Sequence, residues 1–207
     1  MTTRYGMVID LARCVGCDTC SIACKAEHAT PRGMLWNRVL KYETGSYPHS
    51  RLHFLPMLCM HCAEPECEKA CPTRAITKRT DGIVTVDNDR CMGCRYCILA
   101  CPYASPRNLD KLSSYYEDYL TPFEKMGFAK HKAGTAEKCD FCLERVERGI
   151  EPACVVSCVA KARFFGNLDD PQSEVSRLIK EKGGFVLDPE MNTKPSVYYL
   201  PSVRGDR

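Results

Sequence analysis

The sequence lacks any apolar run long enough to span a membrane. Its best apolar stretch, from Leu52 to Ala63, is interrupted by His53, Pro56 and His61. A transmembrane helix needs roughly 18 or more consecutive apolar residues, so the sequence predicts none. The first six residues contain neither an apolar signal segment nor a twin-arginine pair. We therefore expect no export signal within this chain.

Motifs of catalysis and nucleotide binding are missing as well. The sequence contains no Walker loop, no Gly-x-Gly-x-x-Gly fingerprint and no Ser-His-Asp arrangement. Trp36, His131 and the tyrosines between residues 105 and 138 are predicted to be core or interface residues. No concentrated basic stripe is present, which argues against a nucleic-acid partner. The chain itself is predicted not to be an enzyme.

Cysteine is the residue type in clear excess. The 207 residues include 16 cysteines, roughly 8%, which is near the level at which composition alone signals cross-linking or metal. The apolar fraction of 44% and the charged fraction of 27% are ordinary for one or two globular domains. Because no secretory signal accompanies the thiols, a disulfide framework is disfavoured and metal binding is favoured.

The cysteines form four groups of four, and none is left over. The first group is Cys14, Cys17, Cys20 and Cys24, and the third is Cys91, Cys94, Cys97 and Cys101, both spaced C-x2-C-x2-C-x3-C. The second group is Cys59, Cys62, Cys67 and Cys71, spaced C-x2-C-x4-C-x3-C, and the fourth is Cys139, Cys142, Cys154 and Cys158, spaced C-x2-C-x11-C-x3-C. A zinc ribbon explains paired C-x2-C motifs, but the uninterrupted run of four is the pattern of bacterial [4Fe-4S] ferredoxins. The spacing therefore predicts four [4Fe-4S] clusters, which with their thiolates lower the formal net charge from +3 to roughly −5.

The x3 gap at the end of each group has a geometric consequence. Three thiols wrap a loop around one cluster, whereas the fourth lies about one helical turn further on and faces elsewhere. In two-cluster ferredoxins such a fourth thiol ligates the other cluster. We therefore predict that Cys24 serves the cluster of the fourth group and that Cys158 serves the cluster of the first.

An internal repeat supports this organisation. Residues 6–17 are echoed by residues 82–94, and residues 64–71 are echoed by residues 151–158. The predicted fold class is α+β, with two tandem bacterial-ferredoxin-like modules that each hold two [4Fe-4S] clusters, and with loop-rich insertions. Its predicted divisions are an outer module at 1–50 with 139–170, an inner module at 51–104, an insertion at 105–138, and a C-terminal helix and extended tail at 171–207.

Local patterns predict several elements. Alternating residues favour a strand at 83–86 after a hairpin turn at Asp81-Gly82. Short helical turns are expected after Cys20 and after Cys97. An amphipathic pattern predicts a helix from Ser173 to Glu181 that stops at Gly183-Gly184.

The order of the four cysteine groups resembles that of a known protein family. Together with Cys94-Arg95-Tyr96-Cys97, Cys101-Pro102-Tyr103 and Thr193-Lys194-Pro195, it resembles the iron-sulfur (beta) subunit of the dimethyl sulfoxide reductase family. The resemblance covers nearly the whole chain except the insertion and the last few residues. It implies two partners, which are a molybdenum or tungsten bis-pterin catalytic subunit and an integral membrane anchor that handles quinone. It also implies that the four-cluster subunit relays electrons between them in anaerobic respiration.

The resemblance also implies a ligand set for each cluster. Cys14, Cys17 and Cys20 share a cluster with Cys158, and Cys139, Cys142 and Cys154 share one with Cys24. Likewise Cys59, Cys62 and Cys67 share a cluster with Cys101, and Cys91, Cys94 and Cys97 share one with Cys71. Some relatives replace the third residue of the second group and hold a three-iron cluster there. This chain has Cys67 at that position, so four complete clusters are expected.

Residues beside the cysteines leave alternatives open. His61 is predicted to be a polar surface residue rather than a ligand. Arg13, Arg90 and Lys138 precede the first cysteine of a group and are either cations that raise a reduction potential or solvated surface charges. Met57, Met60 and Met92 are predicted to pack against clusters rather than to bind haem.

Two other functions compete with the reductase interpretation. One is a polyferredoxin-like carrier for a hydrogenase or formate dehydrogenase, and the other is a zinc-bound structural protein. The expected location is peripheral at the membrane, on the outer face by co-export with the catalytic subunit, with the cytoplasmic side as the alternative. The 105–138 insertion is predicted to contact the catalytic or membrane subunit rather than a cluster.

Overall fold

A computed structural model describes residues 3–117 and 119–202. The strands are β1 (Tyr5–Asp10), β2 (Arg38–Thr44), β3 (Arg51–Met57), β4 (Ile76–Lys78), β5 (Val84–Val86), β6 (Arg107–Leu109), β7 (Thr135–Glu137), β8 (Arg163–Asn167) and β9 (Val197–Leu200). The helices are α1 (Thr19–His28), α2 (Glu66–Lys69), α3 (Tyr96–Ala100), α4 (Pro122–Phe128), α5 (Leu143–Val146), α6 (Ala153–Val156) and α7 (Glu174–Lys182). The mixed helix and strand content confirms the α+β expectation.

A three-stranded sheet joins the two ends of the chain. Strand β1 lies in its centre, antiparallel to β8 and parallel to β9, with Ile9 opposite Arg163 and Val8 opposite Tyr198. Because α7 covers one face with Val175, Val8 is buried on that side while Ile9 is buried on the other. The sheet therefore brings the residues just before Cys14 next to the residues just after Cys158.

The cysteine groups are attached to very short helices. Helices α2, α5 and α6 have four residues each and α3 has five, whereas α1 has ten. Helix α1 carries the buried Cys20 and Cys24 and packs against α6, which carries the buried Cys154. In the same way α2 with Cys67 packs against α3 with Cys97. Isolated helices of this length are unstable in water, so their packing around the sulfurs must hold them.

The local predictions from sequence are confirmed. Strand β5 pairs with β4 as a hairpin whose turn includes Gly82 at φ +82°. Helix α7 begins after Ser173, whose side chain accepts a hydrogen bond from the Ser176 amide, and it ends at Gly183 with φ +65°. The predicted tail contributes β9, and its residues 203–207 lie outside the described residues.

Two parts of the fold, the segment at 38–57 and the insertion, contain elements that were not predicted. Strands β2 and β3 form a long hairpin, with Arg38 opposite Met57 and Thr44 opposite Arg51. The insertion also has structure of its own, because β6 pairs with β7 and α4 begins with a capping box between Thr121 and Glu124. Hydrogen bonds from the Tyr115 and Thr121 amides are the largest causes that lower the pKa of Glu124 to about 2.

Candidate metal centres

All four cysteine groups share one backbone feature. The residue just before the second cysteine of each group has a left-handed conformation, at Gly16 (φ +66°), His61 (+42°), Gly93 (+73°) and Phe141 (+56°). The left-handed conformation favours glycine at Gly16, and a Cβ atom there would collide with the Phe54 ring unless that ring moved. Left-handed residues in such a turn aim successive N–H groups into one concavity, which favours a bound anion.

Two of the predicted cysteine quartets line cavities of their own. Cys158 lines the same cavity as Cys14, Cys17 and Cys20, and Ile9 and Arg163 close its inner side. Cys71 lines a second cavity with Cys91, Cys94 and Cys97. In both cases three sulfurs come from one group and the fourth comes from the end of another.

Cys24 and Cys101 also interact with cysteines of another group. Burial first, and then the charges of Cys154 and Cys142, raise the pKa of Cys24 well above its ordinary value. Burial and the neighbouring charge of Cys59 raise the pKa of both Cys62 and Cys67 to about 12, with Cys101 adding to the effect. Cys24 is thus close to fourth-group sulfurs, and Cys101 is close to second-group sulfurs.

Backbone N–H groups point at several of these sulfurs. The Ala75 amide donates to Cys71 Sγ at 3.2 Å, and the Ala162 amide donates to Cys158 Sγ at 3.3 Å. The two bonds occupy equivalent places in the internal repeat, four residues after the cysteine. Such bonds stabilise thiolates, which are the protonation state that metal ligands need.

Two cations, Arg163 and Lys138, are buried among the cysteines. Arg163 is 4% exposed, and its Nη2 donates to Cys20 Sγ at 3.3 Å while its Nη1 lies 3.6 Å from Cys154 Sγ. Despite the opposing effect of desolvation, the charges of Cys154 and Cys20 raise the pKa of Arg163. Within residues 3–117 and 119–202 no carboxylate forms an ion pair with this guanidinium. Since an unpaired buried charge is costly, the cation fits a site that holds an anionic iron-sulfur cluster.

The cations that precede the cysteine groups differ in their exposure to solvent. Lys138 is buried, and its Nζ donates to the carbonyl oxygens of Val84 and Cys139. Burial opposes its charge, but the nearby Cys59, Cys67 and Cys139 raise the pKa of Lys138 overall. Arg13 and Arg90 are instead exposed, with side-chain hydrogen bonds to the carbonyl oxygens of Lys161 and Thr73.

The prediction that His61 lies on the surface is wrong. Its side chain has no exposed area, its Nδ1 accepts a hydrogen bond from the Val84 amide at 3.0 Å, and its ring stacks on Phe141 at 3.7 Å between centroids. Burial is the main cause that lowers the pKa of His61 well below its usual value. His61 and Phe141 occupy equivalent positions in the second and fourth groups, so their stacked rings join those two loops.

The insertion reaches a cysteine site at its C-terminal end. The Ala136 amide donates to Cys91 Sγ at 3.4 Å, and Ala136 lines the cavity of the third group. The expectation that the insertion contacts no cluster site is therefore wrong for residues 135–138. The earlier part of the insertion instead packs on the segment around α1, where Arg32 N–H donates to the Ser113 carbonyl and Lys25 lies over the Tyr115 ring.

A second polar network lies beside Cys142, and sequence reasoning missed its central residue. His28 Nε2 lies 3.2 Å from Cys142 Sγ, and its ring packs on Trp36. The side chain of His131 is only 3% exposed and contacts Glu137 at 2.6 Å, and Trp36 Nε1 donates to the same carboxylate at 3.3 Å. Trp36 and His131 are thus confirmed as packing residues, whereas nothing in the spacing around His28 signals its contact with a cysteine.

Two of the three methionines named above are buried. Met57 and Met60 belong to the buried core together with Cys59. Met92 lines the cavity of the third group, although its side chain is largely exposed.

Two further properties concern the described ranges 3–117 and 119–202. Among these residues, no three His, Cys, Asp or Glu side chains have the geometry of a site for a single metal ion. No helix within them is both long and apolar enough to cross a membrane.

Comparison with known proteins identifies the family. A 4Fe-4S dicluster domain matches residues 50–117 and 119–168. A protein described as a dimethyl sulfoxide reductase iron-sulfur subunit of Halobacterium salinarum is 43% identical over 96% of this chain and 79% of its own length. A tetrathionate reductase subunit of Salmonella typhimurium is 41% identical over 95% of this chain and 72% of its own length. A selenate reductase subunit of Mesobacillus selenatarsenatis is 39% identical over 95% of this chain and 72% of its own length. The chain therefore belongs to the iron-sulfur subunits of the dimethyl sulfoxide reductase family, and [4Fe-4S] clusters are its cofactors.

Proposed function

We propose that this chain is the non-catalytic electron-transfer subunit of an anaerobic respiratory oxidoreductase. In this proposal it relays electrons between a quinone-handling membrane subunit and a molybdenum or tungsten bis-pterin catalytic subunit. The observation that carries it is that four groups of four account for all sixteen cysteines, and that two cavities are each lined by three cysteines of one group and one of another. The relatives that match nearly the whole chain are described as subunits of reductases, one of them as an iron-sulfur subunit, which supports the choice of partners.

The proposed ligand sets follow the same pattern. In the outer module Cys14, Cys17, Cys20 and Cys158 hold one cluster, and Cys24, Cys139, Cys142 and Cys154 hold another. In the inner module Cys59, Cys62, Cys67 and Cys101 hold one, and Cys71, Cys91, Cys94 and Cys97 hold the other. Each cluster supplies a one-electron acceptor and donor, and the chain's own residues bury it, neutralise its charge and fix its neighbours.

The two proposed modules meet between the second and fourth groups. The stacked His61 and Phe141 belong to the two facing loops, and the buried Lys138 lies near sulfurs of both groups. Arg163 bridges first-group and fourth-group cysteines on the other side. These contacts support a linear order of clusters from the first group through the fourth and second to the third, which is an arrangement suited to conduction.

Purification of the chain under anaerobic conditions tests the proposal. We expect about sixteen iron atoms per chain, broad visible absorbance, and co-purification with a large subunit that contains molybdenum or tungsten. Zinc in place of iron would contradict the cluster assignment. Full iron content with a hydrogenase as the recovered partner would instead favour the polyferredoxin-like carrier.

The exposed aromatic surface of the insertion provides a test of assembly. Tyr116, Phe123 and Met126 are all more than half exposed, and aromatic residues and methionine are enriched at protein interfaces. We expect that replacing all three by serine weakens binding to the catalytic or membrane subunit at least tenfold, or about 1.4 kcal/mol, because buried apolar anchors dominate interfaces. Quantitative co-purification measures the loss.

Iron content serves as the control for this variant. Iron content is expected to stay at the wild-type value, because none of the three side chains lines either of the two cysteine cavities. A variant that loses iron yet assembles normally would contradict the assignment of this surface to a partner.

We also propose that the complex lies peripherally on the outer face of the membrane, co-exported with its catalytic subunit. Folded export suits a protein whose clusters are inserted in a reducing compartment. Digestion of the subunit by protease added to spheroplasts is the expected result, and its protection would place it on the cytoplasmic side.

A further inference from the structure

The side chain of Arg163 connects two cysteine groups that lie far apart in the sequence. Its Nη2 donates to Cys20 Sγ at 3.3 Å and to Asn37 Oδ1 at 3.1 Å, while Nη1 lies 3.6 Å from Cys154 Sγ and 3.6 Å from Met7 Sδ. In the proposed ligand sets, Cys20 and Cys154 belong to different clusters of the outer module. One guanidinium therefore donates to a proposed ligand of each of the two clusters.

The position of the side chain is fixed on several sides. Arg163 is the first residue of β8 and pairs with Ile9 in the centre of the sheet. Asn37 is buried and holds the guanidinium with its Oδ1, while its Nδ2 donates to the Cys20 carbonyl at 3.2 Å. The planar fork of arginine can point separate N–H groups at two sulfurs, which the point charge of lysine cannot reproduce.

The internal repeat gives a natural comparison for this residue. Cys71 and Cys158 occupy equivalent positions, and each accepts a hydrogen bond from the amide four residues later. One residue further on, the inner module has Ile76 and the outer module has Arg163, and each begins a short strand. Both side chains are buried, so the same place in the fold is filled by a hydrocarbon in one module and by a cation in the other.

We propose that Arg163 is a positioning residue that raises the reduction potentials of both outer-module clusters. The inference rests on the proposed ligand sets. Hydrogen bonds to cluster sulfurs and a nearby positive charge both favour the more negative, reduced form. Each cluster gains one electron when it is reduced and passes that electron on when it is reoxidised. The guanidinium keeps its proton throughout, because its pKa lies far above the working range.

The test is a redox titration of the clusters in the intact complex, followed by electron paramagnetic resonance. We expect two of the four midpoint potentials to fall in Arg163→Ile, which places in the outer module the residue that the inner module already carries. The expected fall is at least tenfold in the equilibrium constant for reduction of each, equivalent to about 59 mV for a one-electron couple. Arg163→Lys keeps the charge but loses the fork, so it is expected to restore part of the shift.

A second arginine of the same module provides the matched control. Arg145 on α5 pairs with Glu27 and donates to the Glu151 carbonyl, so Arg145→Met removes one positive charge without removing a donor to sulfur. All four potentials are expected to stay at their wild-type values in this variant. Equal shifts in Arg145→Met and Arg163→Ile would overturn the proposal, because they would indicate a general effect of net charge.

Iron content separates this inference from the proposed function. Wild-type protein with fewer than four clusters contradicts the ligand sets themselves. Four clusters with unchanged potentials in Arg163→Ile overturn only the role of Arg163, as does a shift confined to one cluster. If Arg163→Ile loses iron, Arg163→Gln and Arg163→Lys are compared instead, and a lower pair of potentials in the glutamine variant supports the proposal. Iron loss in all three variants overturns it in favour of a purely structural role.

Discussion

A variant that replaces both Cys24 and Cys139 by alanine is expected to lose about four iron atoms, whereas one that replaces both Cys24 and Cys14 is expected to lose about eight. The difference follows from the proposed exchange of fourth cysteines between the first and fourth groups. Cys24 and Cys139 then belong to one cluster, so the second substitution removes nothing further. Cys24 and Cys14 belong to two clusters, although both come from the same group.

The geometry behind this expectation is local. Cys20 and Cys24 lie one turn apart on α1, and both are buried. Cys20 Sγ is turned toward Arg163 and the cavity of Cys14 and Cys158. The pKa of the Cys24 thiol is raised by burial first, and then by the charges of Cys154 and Cys142. A single helical turn therefore directs two thiols toward two different sites.

Iron analysis of the single variants sets the reference, since each is expected to lose about four iron atoms. The double variant at Cys14 and Cys158 is the symmetrical control. It is expected to lose about four iron atoms, as the double variant at Cys24 and Cys139 does. If Cys24 belonged to the first cluster, the outcomes of the two Cys24 pairs would be exchanged. That result would contradict both the ligand sets and the linear order of clusters.

The cysteine sites could be predicted from sequence because their determinants are mostly local. Spacing within each group defines a loop and a helical turn, and the short helices and the β4–β5 hairpin follow from the same patterns. The grouping of Cys71 with Cys91, Cys94 and Cys97 was likewise accessible, since the repeat and the ferredoxin pattern specify it.

The residues between the sites could not be predicted in this way. Arg163 lies 143 residues from Cys20, and nothing in the sequence around it signals that the sheet brings the two together. His61 has a polar side chain next to a cysteine, a context that does not reveal that Phe141 covers its ring. Burial of His61 depends on the contact between the second-group and fourth-group loops, and burial of Arg163 depends on the sheet that joins distant parts of the chain. The x2 and x3 spacings contain no information about either contact.

Removal of iron is expected to unfold most of the chain. Helices α2, α3, α5 and α6 have four or five residues, and the strand pairs β2–β3, β4–β5 and β6–β7 are sheets of only two strands. Neither kind of element is stable alone in water. Cys20, Cys59, Cys139 and Cys154 form part of the main buried core, so the clusters would occupy the space around which that core is packed.

The loss is expected to be uneven along the chain. The sheet β8–β1–β9 with α7 has an apolar core of its own, in which Val8, Val175 and Leu200 are buried together. It should retain hydrogen-exchange protection longest, whereas the amides of α2, α3, α5 and α6 should lose theirs as the clusters are removed. Because the free energy of metal binding is linked to folding and domains are stable by only about 5–15 kcal/mol, loss of the clusters should abolish cooperative folding of the modules.

Hydrogen exchange monitored by mass spectrometry measures this effect after anaerobic treatment with an iron chelator. Reconstitution with ferrous iron and sulfide serves as the control and should restore protection in the cysteine-bearing helices. Charge provides a further reason for the loss of structure, because the buried Arg163 and Lys138 would then face protonated thiols in place of anionic clusters. Full protection of these helices in iron-free protein would mean that the cysteine loops are held by the polypeptide alone, and the dependence of the fold on its clusters would be refuted.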